Sequence, residues 1–194
     1  MVILQPDGPE RIRDVHIHII DLFRGEGVKN VTWFMYGNSG YMDPAGADYS
    51  PWLHPKFFYP GDAYIDWVGL STYFIDPAWG RNPSEDAAEI GHALAPGYQA
   101  WGEVTARPLF LPEFGAVGDP GLNRASIIRE VMTHVLPSLP RVRAVTLADF
   151  EIAELCCQTP RLGQDHADEI EAWRTSVGEN AGYEFRVRTG PPVP

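Results

Sequence analysis

Arg107-Pro-Leu-Phe-Leu-Pro-Glu-Phe-Gly115 is the stretch on which the fold turns. Leu109, Phe110 and Leu111 read as a short apolar strand, bounded by turn-forming residues. Glu113 follows at once, where the chain is expected to leave the sheet, and Gly115 supplies the turn. In a parallel α/β barrel, groups at the C-terminal ends of strands face the active-site mouth. A glutamate there, set against apolar walls, suits a nucleophile or a proton carrier. A solvated loop glutamate is the plain alternative.

Working outward, the same pattern recurs on both sides. Ile65 to Tyr73, Ile-Asp-Trp-Val-Gly-Leu-Ser-Thr-Tyr, reads as the preceding strand, with Tyr73 ending level with Glu113. Val28 to Tyr36 reads as the strand before that, apolar on both faces as a buried parallel strand should be. Between them runs a long loop to about Pro60 that carries Trp52, Phe57, Phe58 and Tyr59, expected as a rim of the cleft. Residues 9 to 25 form a first helix, with Ile12, Val15, Ile19, Leu22 and Phe23 as its apolar stripe. His16 and His18 lie off that stripe and are expected at the surface. Ser84 to Leu94 reads as a helix stopped by Ala95-Pro-Gly97, with a further turn from Tyr98 to Glu103. After the Glu113 strand come a helix over Asn123 to Leu136, a strand over Val142 to Leu147 and a helix over Asp165 to Val177. The order is one helix, then strand–helix four times, which means a parallel sheet flanked by helices. No strand is followed by a glycine-rich phosphate loop, so nucleotide binding is not expected.

Composition narrows the function classes. The 194 residues suffice for one domain, expected over 1–188, with a frayed tail over 189–194. A net charge of −11 argues against nucleic acid and against an anionic membrane surface as partners. The 12% aromatic content, with six tryptophans, fits the flat faces of a carbohydrate cleft, although cores use aromatics too. Cys156 and Cys157 are adjacent, which excludes a disulfide framework and offers no metal-ligand spacing, so neither a metal nor another cofactor is expected. Met1-Val-Ile-Leu-Gln-Pro is not a signal-peptide pattern and no apolar run is long enough to span a bilayer; a cytoplasmic location is the default expectation.

Three blocks resemble glycoside hydrolase family 26, which includes β-mannanases. Asp21-Leu-Phe-Arg-Gly-Glu-Gly-Val-Lys-Asn-Val-Thr-Trp33 is similar to a helix-to-strand segment of that family. Tyr59-Pro-Gly-Asp-Ala-Tyr-Ile-Asp-Trp-Val-Gly-Leu70 resembles its next strand and approach, and Pro108 to Gly115 the segment that carries its nucleophile. The resemblance implies a partial (β/α)8 barrel, its fourth helix through its eighth, and no cofactor. It implies Glu113 as nucleophile and Tyr73 as the residue that orients it. Trp33 resembles a family aromatic near the cleft, with a core position equally open, and Phe150 falls near where the family often has an aromatic after its last strand; Trp52 and Trp79 join them as candidate substrate-binding residues. Two departures stand out. The family's acid/base glutamate lies on a strand that would precede Met1, and Leu70-Ser-Thr-Tyr-Phe74 stands where an Asp-Gly is expected before the tyrosine.

Retaining glycosidases use two carboxyl groups roughly 5 Å apart, one attacking the anomeric carbon and one acting as acid, then base. Glu113 suits the first task. For the second, Asp43, Asp76, Asp149 and Glu151 lie in or near strand-end loops, where solvated acids or helix caps are also ordinary. Four strands do not close a barrel that needs eight, and leave two edges with unpaired backbone groups. The sequence therefore predicts a homodimer of half-barrels, a partner supplying the first half, or an association-prone fragment. Three functions follow: a mannan-type hydrolase of β-linked polysaccharide, a half-barrel that binds polysaccharide or oligosaccharide without cleaving it, or a non-functional piece.

Overall fold

The computed structural model describes residues 7–46, 48–75, 87–117, 124–147 and 167–179. Its centre is a four-stranded sheet of β1 (Phe34–Asn38), β2 (Trp67–Ile75), β3 (Leu109–Val117) and β4 (Val142–Leu147), in the spatial order β1-β2-β3-β4. Every neighbouring pair is parallel. Among the described residues four α-helices accompany it: α1 (Gly8–Gly25), α2 (Ala87–Gly102), α3 (Arg124–Glu130) and α4 (Ala167–Trp173). Sequential parallel strands with helical connections are a sector of an α/β barrel. The expected tail over 189–194 and both cysteines lie outside the described residues.

One face of the sheet is packed. Met35, Val68, Leu70, Leu109, Leu111 and Phe114 are buried, as are Leu94, Ala100, Trp101, Ile127, Val131 and Met132 of the helical layer. Trp101 also donates its indole N–H to the Gly69 carbonyl at 2.9 Å, tying α2 to β2.

Helix α2 runs through the expected stop at Ala95-Pro-Gly97, with Pro96 inside it. A proline in a helix interior removes one backbone donor and crowds the turn before it. Ser39 patches that turn. Its hydroxyl donates to the Ala93 carbonyl at 2.6 Å and accepts the Gly97 N–H at 3.3 Å, bridging two groups four residues apart. Gly97 is glycine because a Cβ there would run into Leu70 and Ser39.

The strand boundaries shift for identifiable reasons. β1 begins at Phe34, not Val28, because the backbone of Trp33 is engaged elsewhere. Its N–H donates to Asp66 Oδ2 at 2.8 Å, and its carbonyl accepts from the N–H groups of Asp66 and Trp67 at 2.8 and 3.2 Å. β3 does not stop before Glu113 but continues to Val117. Pro112 has no N–H to offer the ladder, and the register shifts there against both neighbours, between Gly69 and Ser71 of β2 and between Leu111 and Phe114 on the β4 side. α3 gives way to a wide turn over Val131–Val135 and a tight one over Leu136–Ser138. α1 forms as expected, but Val15, Ile19, Leu22 and Phe23 of its stripe are exposed, while Ile20 is buried.

The Tyr59-Pro-Gly-Asp62 block is structural. Gly61 has φ +102, which accounts for the glycine. Asp62 accepts hydrogen bonds at Oδ1 from Tyr59 at 2.6 Å and from Thr105 at 2.7 Å, and Arg107 donates to the Asp62 carbonyl. These links join the approach to β2 with the approach to β3, at the N-terminal ends of the strands, where barrels invest in stability rather than chemistry. Hydrogen bonds from Thr105 and then Tyr59, with the Arg107 charge adding, hold the Asp62 carboxyl below its ordinary value. Burial first, then the bond to Asp62, pushes the Tyr59 phenol up to about 12. The contribution of Asp62 is complete above the usual carboxylate range of about 4 and is lost as pH falls through its lowered value. That of Tyr59 is complete below pH 10 and is lost as pH rises towards about 12. Thermal melts from pH 9 to 12 should show a decline that is shallower in Tyr59→Phe; equal slopes would refute this account.

Candidate functional site

The face of the sheet turned away from the buried helical layer carries the site. Strand alternation places Phe34 and Tyr36 of β1 on one face and the buried Met35 on the other. On β3, Leu109 and Leu111 are buried towards the helices, and the next residue buried with them is Phe114, three positions on rather than two. The extra residue at the Pro112 bulge re-phases the strand. Bulges of this kind re-aim side chains and recur beside active sites. Here the bulge presents Glu113, half-buried, to the inner face.

Three strands meet at its carboxylate. Tyr36 of β1 donates its phenol O–H to Glu113 Oε1 at 3.1 Å. Ser71 of β2 pairs with Glu113 in the ladder and donates its hydroxyl to Oε2 at 3.0 Å. Gly69 makes the first of these bonds sterically feasible. A Cβ at Gly69 would lie 2.9 Å from Tyr36 Cβ and 2.8 Å from the Phe110 carbonyl, so a larger residue would block the ring's path across β2. Burial, then the hydrogen bond to Glu113 and its charge, raise the Tyr36 phenol above its ordinary value, which keeps it a donor. Phe34 lies beside the site, stacked on Tyr36 at 5.8 Å and edge-on to Phe110 at 5.8 Å. A carboxylate with a hydroxyl on each oxygen is fixed in plane and direction, as a nucleophile needs to be.

The other candidates fare differently. The backbone of Tyr73 pairs with Gly115, two residues beyond Ser71 on β2, and its side chain lies outside the described part. Trp33 precedes β1 at the N-terminal end of the sheet, and its ring meets Phe23 edge-on at 5.2 Å. Trp52 sits in the short turn Pro51–Leu53 on the way from β1 to β2, against Phe57 at 6.1 Å. Asp43 accepts the Ala45 N–H at 2.9 Å and so closes its own turn. Trp79, Phe150, Asp76, Asp149 and Glu151 lie outside the described residues.

Sequence reasoning missed Tyr36, Ser71 and Gly69. The available signal was register: Phe34 and Tyr36 alternate onto one face, and Ser71 stands where a carboxylate was expected. His16, half-buried, contacts the Ile12 carbonyl at 2.8 Å, and among the described residues no three His, Cys, Asp or Glu side chains come together. Among the described residues no helix is long and apolar enough to cross a membrane. A hollow of about 530 Å³, lined by Tyr98, Thr105 and Arg141 among others, opens at the opposite end of the strands and takes no part in this site.

No protein-family profile matches the chain. Endoglucanase H of Acetivibrio thermocellus is 30% identical over 129 residues, which are 66% of this chain and 13% of that protein. A family 26 β-mannanase of Bacteroides ovatus superposes with a TM-score of 0.54 at 18% identity, over 87% of this chain and 44% of its own. An endo-β-1,4-mannanase of Thermotoga petrophila does so with a TM-score of 0.50 at 16% identity, over 92% and 41%. The relative and both structural neighbours are glycoside hydrolases, and this chain spans less than half the length of each. The partial barrel expected from the family 26 resemblance is the fold found.

Proposed function

We propose that this chain supplies the nucleophile side of a retaining glycosidase site that acts on β-linked, mannan-type polysaccharide, with Glu113 as nucleophile. The observation that carries this is the Glu113 carboxylate presented by a β-bulge and gripped at both oxygens by Tyr36 and Ser71. In the first step a Glu113 oxygen bonds to the anomeric carbon as the bond to the leaving sugar oxygen breaks, and that oxygen takes a proton from a second carboxyl group. Water then attacks the same carbon, gives a proton back to the second group and releases Glu113. Tyr36 and Ser71 touch the nucleophile rather than the sugar, and so are positioning residues.

The test is release of reducing ends from mannan, with two variants that separate positioning from binding. A hydrogen bond to a charged group contributes about 1.5–3 kcal/mol. Ser71→Ala and Tyr36→Phe are each expected to lower kcat by roughly 10- to 100-fold with KM little changed. A rise in KM at constant kcat would show that these hydroxyls contact substrate instead, and overturn the assignment.

A second reading is a half-barrel that binds mannan without cleaving it. It is favoured by Asp43, a candidate for the second carboxyl group, whose Oδ1 accepts the Ala45 N–H at 2.9 Å and closes its own turn. Retardation on mannan by affinity electrophoresis, with no reducing ends released in any assembly, would select it.

A further inference from the structure

One row of residues crosses the three strands that build the site. Asn38 of β1 pairs with Ser71 of β2, and Ser71 pairs with Glu113 of β3. Asn38 is the last residue of β1 and keeps extended backbone, φ −77 and ψ 126. Ser39, next along, turns its hydroxyl to the Ala93 carbonyl and the Gly97 N–H of α2, in the helical layer. Side chains alternate along a strand, so Asn38 stands on the opposite face, with Tyr36 and the Glu113 carboxylate. It lies at the C-terminal end of β1, the end at which α/β barrels do their chemistry. Neighbouring strands are about 4.8 Å apart, which puts the backbones of Asn38 and Glu113 about 10 Å apart, with Ser71 between them. A sugar ring seated over Ser71 would meet the carboxylate on one side and the Asn38 amide on the other.

That amide is fixed in direction. Its Oδ1 accepts the Gly40 N–H at 2.9 Å, which turns the NH2 group away from the chain's own backbone. The turn Ser39–Met42 is itself held. A Cβ at Gly37 would lie 2.6 Å from Met42 Cε, so glycine lets the turn fold close against the end of β1, where Met42 is buried. The NH2 group carries two donors. Among the described residues it has no acceptor, and it is not one of the buried atoms left without a partner, so it is open to solvent. A few polar groups held in fixed directions are what orient a ligand in its site. We propose that Asn38 contacts substrate: its amide N–H donates to an oxygen of the mannose unit whose anomeric carbon Glu113 attacks, and so orients that ring over Ser71. The placement of the donor follows from the row and the turn, and the identity of its ligand rests on the glycosidase reading.

Asn38→Ser separates the donor from the turn. Serine caps such a turn about as well as asparagine does, but its shorter side chain stays on the Gly40 N–H. The full chain carrying Glu113→Gln, which leaves substrate uncut, is titrated with manno-oligosaccharide and followed by NMR. The Asn38 side-chain amide signals are assigned by their loss in Asn38→Ser. They are expected to shift and saturate. Asn38→Ser should weaken binding by roughly 2- to 10-fold, the worth of one neutral hydrogen bond, with melting unchanged. If the backbone amides of residues 71 and 113 shift while the Asn38 side chain does not, or if the serine variant binds equally well, the proposal falls and the Glu113 reading stands. If no signal in the chain shifts, both fall. A saturating Asn38 shift in a protein whose hydrolysis survives Glu113→Ala keeps the sugar contact and removes the nucleophile.

Discussion

Replacing Glu113 by alanine in a mannan-hydrolysing assembly is expected to lower kcat by roughly 10⁴-fold or more, and added azide is expected to restore part of it. Removing the residue that forms the covalent bond leaves only binding and electrostatic help, and in well-studied hydrolases that loss reaches about 10⁶-fold. The cavity left by a carboxylate held between Tyr36 and Ser71 has two hydroxyl donors directed into it. A small anion can occupy it and attack the anomeric carbon from the same side. With no enzyme bond to displace afterwards, the product is a glycosyl azide of inverted configuration. An acid/base residue would give a different result: azide would enter after the glycosyl-enzyme had formed, with retention. The sugar product's configuration, read by NMR, therefore tests the role and not merely the importance of Glu113. Retention would move Glu113 to the acid/base position, and undiminished activity would remove it from the mechanism.

What could be read in the sequence was whatever shows inside one element. Val142 to Leu147 is a strand in both readings, because its apolar run is short and cleanly bounded. Leu109 and Leu111 were placed as buried for the same reason. What could not be read depends on pairs far apart in the chain. Tyr36 and Glu113 are 77 positions apart and Ser71 and Glu113 are 42, and no periodicity encodes those distances. Pro112 was visible, but as a strand end. Its actual role, a bulge that redirects the next side chain while the strand continues, is set by the register of β2 and β4 on either side. Ala95-Pro-Gly97 is a helix stop by every local rule, and is overridden by one hydroxyl from Ser39, which lies 58 positions before Gly97. The α1 stripe failed in the opposite sense. Its helical period was correct, and what an apolar stripe packs against is a property of the sheet's edge rather than of the helix.

The second large effect is on stability. Trp101→Ala is expected to cost about 3–5 kcal/mol, the range for deleting a buried aromatic. Trp101 is fully buried, meets Phe58 and Tyr59 edge-on at 5.9 and 5.7 Å, and bonds to the Gly69 carbonyl at 2.9 Å. Small domains have only about 5–15 kcal/mol in total. A loss of this size removes most of the stability of a domain low in that range, so the variant is expected to be largely unfolded at room temperature. Trp101→Phe keeps much of the volume and loses the donor, and about 1–3 kcal/mol is expected for it. Urea denaturation followed by circular dichroism measures both. The pair also probes the site, because Gly69 is the gap through which Tyr36 reaches Glu113. If the indole N–H holds β2 at the height this requires, Trp101→Phe should lower kcat in the mannan assay as well as stability. A cost below 1 kcal/mol for the alanine variant would mean that the α2–β2 contact is not where this sheet gets its stability.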